Sequence, residues 1–175
     1  MAPASTDNQK DSRKRLVPNL DAFSDRKDVV YVISMFNAVE ESLTSLLVRM
    51  IGAPKEKEAF LKDIVFNNAI LPFSAKIKLF RHLQAVNGWP KINPTAFHRL
   101  MHIRNQFAHS QRSHRATVMI DIKKNESRIV EEKIMISSVT GSGELVSVST
   151  KEALEEFTQL YVEVSEYLMR LRESL

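Results

Sequence analysis

Cysteine is absent from all 175 residues, which excludes disulfides, thiolate catalysis and any metal held by sulfur. A chain without thiols suits a reducing compartment, and a cytoplasmic location is expected. Only four glycines are present, too few for a glycine-rich phosphate loop. Neither a G-x-S-x-G elbow nor an H-E-x-x-H pair occurs, and there is no helix-turn-helix signature. No run approaches the roughly 18 apolar residues of a membrane span. The first residues also lack the apolar stretch of a secretory signal, so no membrane association is expected. Tryptophan occurs once, at Trp89.

What is there is ordinary for a globular domain: 43% hydrophobic and 26% charged residues. Twenty-five Lys and Arg against 21 Asp and Glu leave a formal charge of +4, which permits a polyanionic partner without requiring one. Residues 1–25 are polar, contain two prolines and keep no period. They are expected to form a disordered basic tail, with Arg13, Lys14 and Arg15 either solvated or an electrostatic arm. Residues 26–175 are expected to fold as one helical domain.

Helical periodicity runs from Asp25 to Ile51, where Val29, Ile33, Phe36, Leu43, Leu47 and Met50 mark an apolar face. Glu40 falls on that face and needs a partner. Gly52 and Pro54 stop the helix. Lys55 to Asp63 suits a short helix, and Phe66 to Leu71 an apolar connector. A second long helix is predicted from Phe73 to Val86, closed by Asn87–Gly88. A third starts at the cap Asn93 with Pro94 in its first turn, and runs to Ser110 or Arg112. The period then changes. Thr117–Ile122 and Arg128–Ser137 alternate around a polar turn, and Glu144–Val148 suits a third short strand. Ser149 and Glu152 have capping-box spacing at the start of the last helix. The expected fold class is all-α: an up-and-down four-helix bundle with a β-hairpin or three-stranded insertion before its final helix.

The stretch from His102 to His109 has one odd feature. Arg104 interrupts an apolar stripe of Leu100, Met101, Phe107 and Ala108. A guanidinium cannot shed its charge, so an inward Arg needs an anionic or multiply accepting partner. Glu40 within the chain and a phosphate from outside are the two candidates. His109 lies five residues on, a rotation of about 140° in an ideal helix, so the two side chains do not share a face by helix geometry alone. Asn105 and His109 do share one. Two readings stand open: a structural Arg104–Glu40 ion pair with His109 at a helix end, or an anion site.

The segment Arg104–Asn105–Gln106–Phe107–Ala108–His109 resembles the R-x4-6-H motif of the HEPN superfamily. Phe73–Ser74–Ala75–Lys76–Ile77 upstream is similar to a segment of its mannitol-repressor-like branch. The likeness covers about residues 28 to 172. It implies a metal-independent endoribonuclease in a bacterial toxin, defence or stress role, acting as a homodimer on RNA without a cofactor. An antitoxin or regulatory protein is a further expected partner. On this resemblance Arg104 would hold the scissile phosphate and His109 would be the general acid or base. Asn105 would orient His109 or the phosphate, and Glu40 would hold Arg104.

Arg112, His114 and Arg115 are expected to extend a positive, nucleic-acid-binding surface beside the motif. The alternative implied by the same resemblance is a non-catalytic transcriptional or regulatory protein. A weaker alternative is a metal-dependent enzyme built on His98 and His102, one helical turn apart, although a site of two ligands is weak and no metal is expected.

Overall fold

The computed structural model describes residues 26–121, 126–139 and 143–175. The expected tail, the hairpin turn at 123–127 for its first three residues, and most of the turn at 140–143 lie outside the described residues. Within them the chain is mostly helical and carries a three-stranded antiparallel sheet just before its last helix.

Helix α1 (Lys27–Met50) is followed by α2 (Lys55–Phe60), which continues into one π-helical turn over Leu61–Val65. Helix α3 (Phe73–Asn87) and helix α4 (Pro94–His109) come next. The strands are β1 (Gln111–Asp121), β2 (Glu126–Val139) and β3 (Leu145–Ser149), and α5 (Thr150–Glu173) closes the domain. The stop and start signals explain the helix ends. Gly52 and Gly88 adopt φ of 71° and 67° just past α1 and α3, the left-handed conformation that glycine reaches without steric cost. Asn93 caps α4 by accepting from the Thr95 backbone N–H at 3.0 Å.

The core is assembled by α1, which packs on α3, α4 and α5. Val32, Phe36, Val39, Leu43 and Leu47 supply its buried stripe, while Val29, Ile33 and Met50 stay partly exposed at the rim. A run of edge-on and tilted aromatics crosses the interior. Phe36 meets Phe73 at 4.7 Å between ring centroids, Phe97 follows at 6.3 Å from Phe73, and Phe80 lies 6.1 Å from Phe97. Trp89 packs partly buried against this core instead of standing free in its loop.

The strand region departs from expectation in three ways. First, α4 ends at His109 because Ser110 is extended, with ψ of 147°, and β1 begins at once. Arg112 therefore belongs to a strand and not to the helix. Second, the alternation at Val118 does not mark a buried face: Val118 is 50% exposed, and Ile136 is the strand aliphatic that joins the core. Register shifts between Thr117 and Val118, where β2 carries one extra residue, Val130. Third, Ser149 precedes α5 without a side-chain cap bond. The neighbouring Thr150 hydroxyl instead donates to the Ile134 carbonyl at 2.9 Å, tying α5 to β2. Among the described residues no helix is long and apolar enough to cross a membrane.

Candidate functional site

Helix α4 carries two faces of different chemistry. Phe97, Leu100, Ile103 and Phe107 are buried in the core. His98, His102, Asn105 and His109 are exposed and lie within about 60° of one another around the axis. Arg104 falls on the apolar side, between the positions of Phe97 and Leu100 around the axis. It is half-buried, with its guanidinium carbon 5.5 Å from the centre of the Phe36 ring on α1. Its Nη1 donates to Asn105 Oδ1 at 3.0 Å. Its Nε is buried, and among the described residues it has no acceptor and no carboxylate pairs with the group.

Glu40 is not the partner of Arg104. Its Oε1 takes Lys76 Nζ at 2.6 Å, and its Oε2 accepts from Asn68 Nδ2 at 2.9 Å. Both oxygens are engaged by groups on the α3 side, so the carboxylate on the apolar face of α1 is neutralised without the arginine. Lys76 belongs to the Phe73–Ile77 segment singled out in the sequence, and this contact is what its charge does.

His109 and Asn105 line a cleft of about 540 Å³ between the C-terminal half of α4 and the end of the sheet. His102, Gln106 and Ser110 complete the helix side. Ser137, Ser138, Val139 and Leu145 form the strand side. Arg104 does not line this cleft. The structure brings Asn105 and His109 together there, and Asn105 in turn touches Arg104. The 140° separation read from the helix persists, with Asn105 as the link between the two groups. Gln106 is the residue of this cleft whose role the sequence did not suggest. It lies between two motif positions, and its burial arises from strand residues more than 30 positions away.

The positive surface expected beside the motif is divided. β1 alternates its side chains, so Arg112 and His114 project to one face of the sheet and Arg115 to the other. His114 Nδ1 lies 3.2 Å from Glu132 Oε1. A second basic group, not identified from the sequence, lines a depression of about 320 Å³ between α3 and the start of α4. It comprises Lys78, Arg81, His82 and Lys91, none of which pairs with a carboxylate among the described residues. The one available signal was the spacing of Lys78, Arg81 and His82, which shares one turn of α3.

His98 and His102 gain no third ligand: among the described residues no group of three or more His, Cys, Asp or Glu side chains is placed to hold a metal ion. Arg99, between them, forms a two-pronged pair with Glu156 of α5, with both N–O distances 2.6 Å. The hydrogen bonds from Arg99 hold the Glu156 carboxyl below its usual range, and the charge of His102 adds to that effect. No family model matches the chain, and neither a curated protein nor a solved structure does.

Proposed function

We propose that the chain is a metal-independent, HEPN-type endoribonuclease in which Arg104 binds the scissile phosphate and His109 transfers the proton. One observation carries the reading: Arg104 is a half-buried cation whose Nε, among the described residues, has no partner and no carboxylate, and which hydrogen-bonds to a residue lining the His109 cleft. A structural arginine at that depth would have an anion of its own. The anion it awaits is then a ligand's, and a phosphodiester fits the planar donor array.

The chemistry follows from the groups present. The 2′-hydroxyl of the substrate attacks the adjacent phosphorus, forming a P–O2′ bond while the P–O5′ bond breaks. Imidazole accepts the 2′ proton or donates one to the departing 5′ oxygen. The products are a cyclic phosphate and a free 5′-hydroxyl. Arg104 stabilises the charge that develops on the non-bridging oxygens. Asn105 holds the guanidinium by its side-chain oxygen. In this reading α1, α3, α4 and α5 form the four-helix bundle of the superfamily, and a homodimer brings the Arg104 of one protomer to the cleft of its partner.

The test is cleavage of single-stranded RNA by the purified chain in excess chelator. Activity should persist without metal and vanish in both Arg104→Ala and His109→Ala. Cleavage that survives in both variants discards the proposal.

The second reading is a non-catalytic regulator that holds nucleic acid. The unpaired Lys78, Arg81, His82 and Lys91 favour it, because they attract a phosphate backbone and offer no carboxylate for proton transfer. Salt-sensitive nucleic-acid binding lost in Lys78→Ala/Arg81→Ala, without cleavage under any condition, would select it.

A further inference from the structure

Gln106 is 4% exposed, yet it lines the cleft. Its Nε2 donates to Ser138 Oγ at 3.0 Å, which fixes the carboxamide against β2. Its Oε1 is buried and, among the described residues, accepts no hydrogen bond. A buried acceptor without a donor costs about 1–3 kcal/mol, and native proteins rarely keep such a group without a use for it. The oxygen needs an N–H or O–H from a ligand. A phosphodiester cannot serve, because it only accepts.

The surroundings narrow the ligand further. Val139 and Leu145 pair directly across β2 and β3 and stand 66% and 67% exposed at the mouth of the cleft. They form an aliphatic rim on the sheet face opposite Ser138, beyond a polar floor of Gln106 and Ser138. Ser137 Oγ is itself bonded to Ser147 Oγ at 2.7 Å, so that hydroxyl is committed within the sheet. A flat ring with two apolar faces and a donor on its edge satisfies both surfaces at once. Gln106 and His109 are also i, i+3 neighbours on α4. A ring held at Gln106 therefore places its attached sugar beside the imidazole.

We infer that this cleft is a base-recognition subsite in which Gln106 Oε1 accepts a hydrogen bond from the exocyclic amine of adenine or cytosine lying against Val139 and Leu145. Uracil fits poorly. Its N3–H donor stands between two carbonyl oxygens, which would approach the Gln106 oxygen and repel it. Hypoxanthine fits less well than adenine, because a carbonyl oxygen stands where adenine carries its amine and would approach the Gln106 oxygen. The inference rests on the RNA reading above and deepens it: the nucleotide read at Gln106 is the one whose 2′-hydroxyl attacks, so cleavage falls on the 3′ side of adenosine or cytidine.

Short deoxyoligonucleotides separate binding from cutting, because they lack the attacking hydroxyl. Fluorescence anisotropy with the full chain should show hexamers of dA and dC binding about tenfold tighter than hexamers of dU or deoxyinosine, the size expected for one buried acceptor gaining its donor. Gln106→Leu should bring all four to the dU affinity. Gln106→Glu, which keeps an acceptor at the same place, should preserve the preference. The side-chain NH2 resonance of Gln106 in the unaltered chain should shift on adding adenosine and stay still on adding uridine. That measurement decides the matter even if the leucine variant does not fold.

Equal binding of dA and deoxyinosine overturns the subsite, and so does a preference that survives Gln106→Leu or a resonance unmoved by adenosine. The absence of any oligonucleotide binding overturns it together with the RNA reading. A dA preference in a chain that cuts no RNA leaves the subsite standing and removes the nuclease. RNA cleavage without base preference does the reverse.

Discussion

Lys76 Nζ lies 2.6 Å from Glu40 Oε1, with the lysine side chain 3% exposed and the carboxylate 13%. Two charges brought this far out of water hold each other at the cost of their hydration, and neither tolerates the loss of the other. Lys76→Met should therefore destabilise the domain by about 3–5 kcal/mol, because Glu40 is left as an uncompensated charge. Adding Glu40→Gln to that variant should recover much of the loss. Urea denaturation of the two variants checks both; an unchanged midpoint in Lys76→Met would show the pair to be idle.

Arg104 should behave in the opposite way. Among the described residues it has a ring contact with Phe36 and a hydrogen bond to Asn105, but no ion pair to break. Arg104→Leu should cost no more than about 1–2 kcal/mol while abolishing the binding of an RNA phosphodiester. Thermal melting and RNA binding measured on the same preparation separate the two effects. A collapse of stability as large as that of Lys76→Met would make Arg104 a structural residue.

His109→Ala should lower RNA cleavage by about 10²–10⁴-fold without weakening RNA binding to the same degree. His102→Ala should leave most of the activity, since His102 lines the cleft but lies seven residues before His109 on the helix. Single-turnover cleavage in excess chelator is the measurement, and equal loss in the two variants would shift the proton-transfer role toward His102.

Burial pushes the Tyr167 phenol up to about 12 from its ordinary 10.0. The hydroxyl donates to the Pro90 carbonyl at 2.6 Å and receives Gln84 Nε2, pinning the loop after α3 against α5. The folded state favours the neutral phenol. Its contribution is therefore complete below pH 10 and is lost as pH rises from 10 toward 12. Tyr167→Phe should cost about 1 kcal/mol at neutral pH and flatten that alkaline loss. Ultraviolet titration of the phenolate, paired with denaturation at several alkaline pH values, tests it.

Arg99 holds the Glu156 carboxyl below its usual range by hydrogen bonding. A depressed carboxyl contributes stability above the ordinary Glu pKa, about 4.3, and loses it as pH falls through the lower folded value. Both side chains are about two-fifths exposed, so the pair is worth about 1 kcal/mol or less. Arg99→Gln should lower stability at pH 7 by that small amount and converge with the unaltered chain in acid, as acid denaturation curves would show.

Much of the architecture was legible because its causes are local. The stripe through Phe36, Leu43 and Leu47, the cap at Asn93 and the stops at Gly52 and Gly88 each act within a few residues. The strands were placed correctly in order but not in extent: β1 starts six residues before the expected Thr117, because Gln111 to Ala116 carry no apolar alternation that would mark a strand, although their backbone pairs with β2. The alternation at Val118 does not bury that side chain, and Met119 and Ile129 beside it are also exposed.

The candidate site was legible as residues and not as contacts. Arg104 stood out because a fixed charge among apolar neighbours breaks a helical period, and that is a property of the sequence alone. Glu40 stood out for the same reason, and pairing the two was the economical guess. Lys76 wins instead because the packing of α1 on α3 sets its ammonium against the carboxylate, a choice no spacing along one helix encodes. Gln106 shows the same limit. Its position between Asn105 and His109 was plain, but its buried, unsatisfied oxygen exists only because Ser138, 32 residues later, takes the other end of the amide. Sequence thus determined which side chains carry charge and where helices begin and end, through interactions spanning a turn or two. Tertiary structure decided which charges neutralise each other and which buried polar atoms go unpaired, because desolvation and pairing depend on groups brought together from distant parts of the chain.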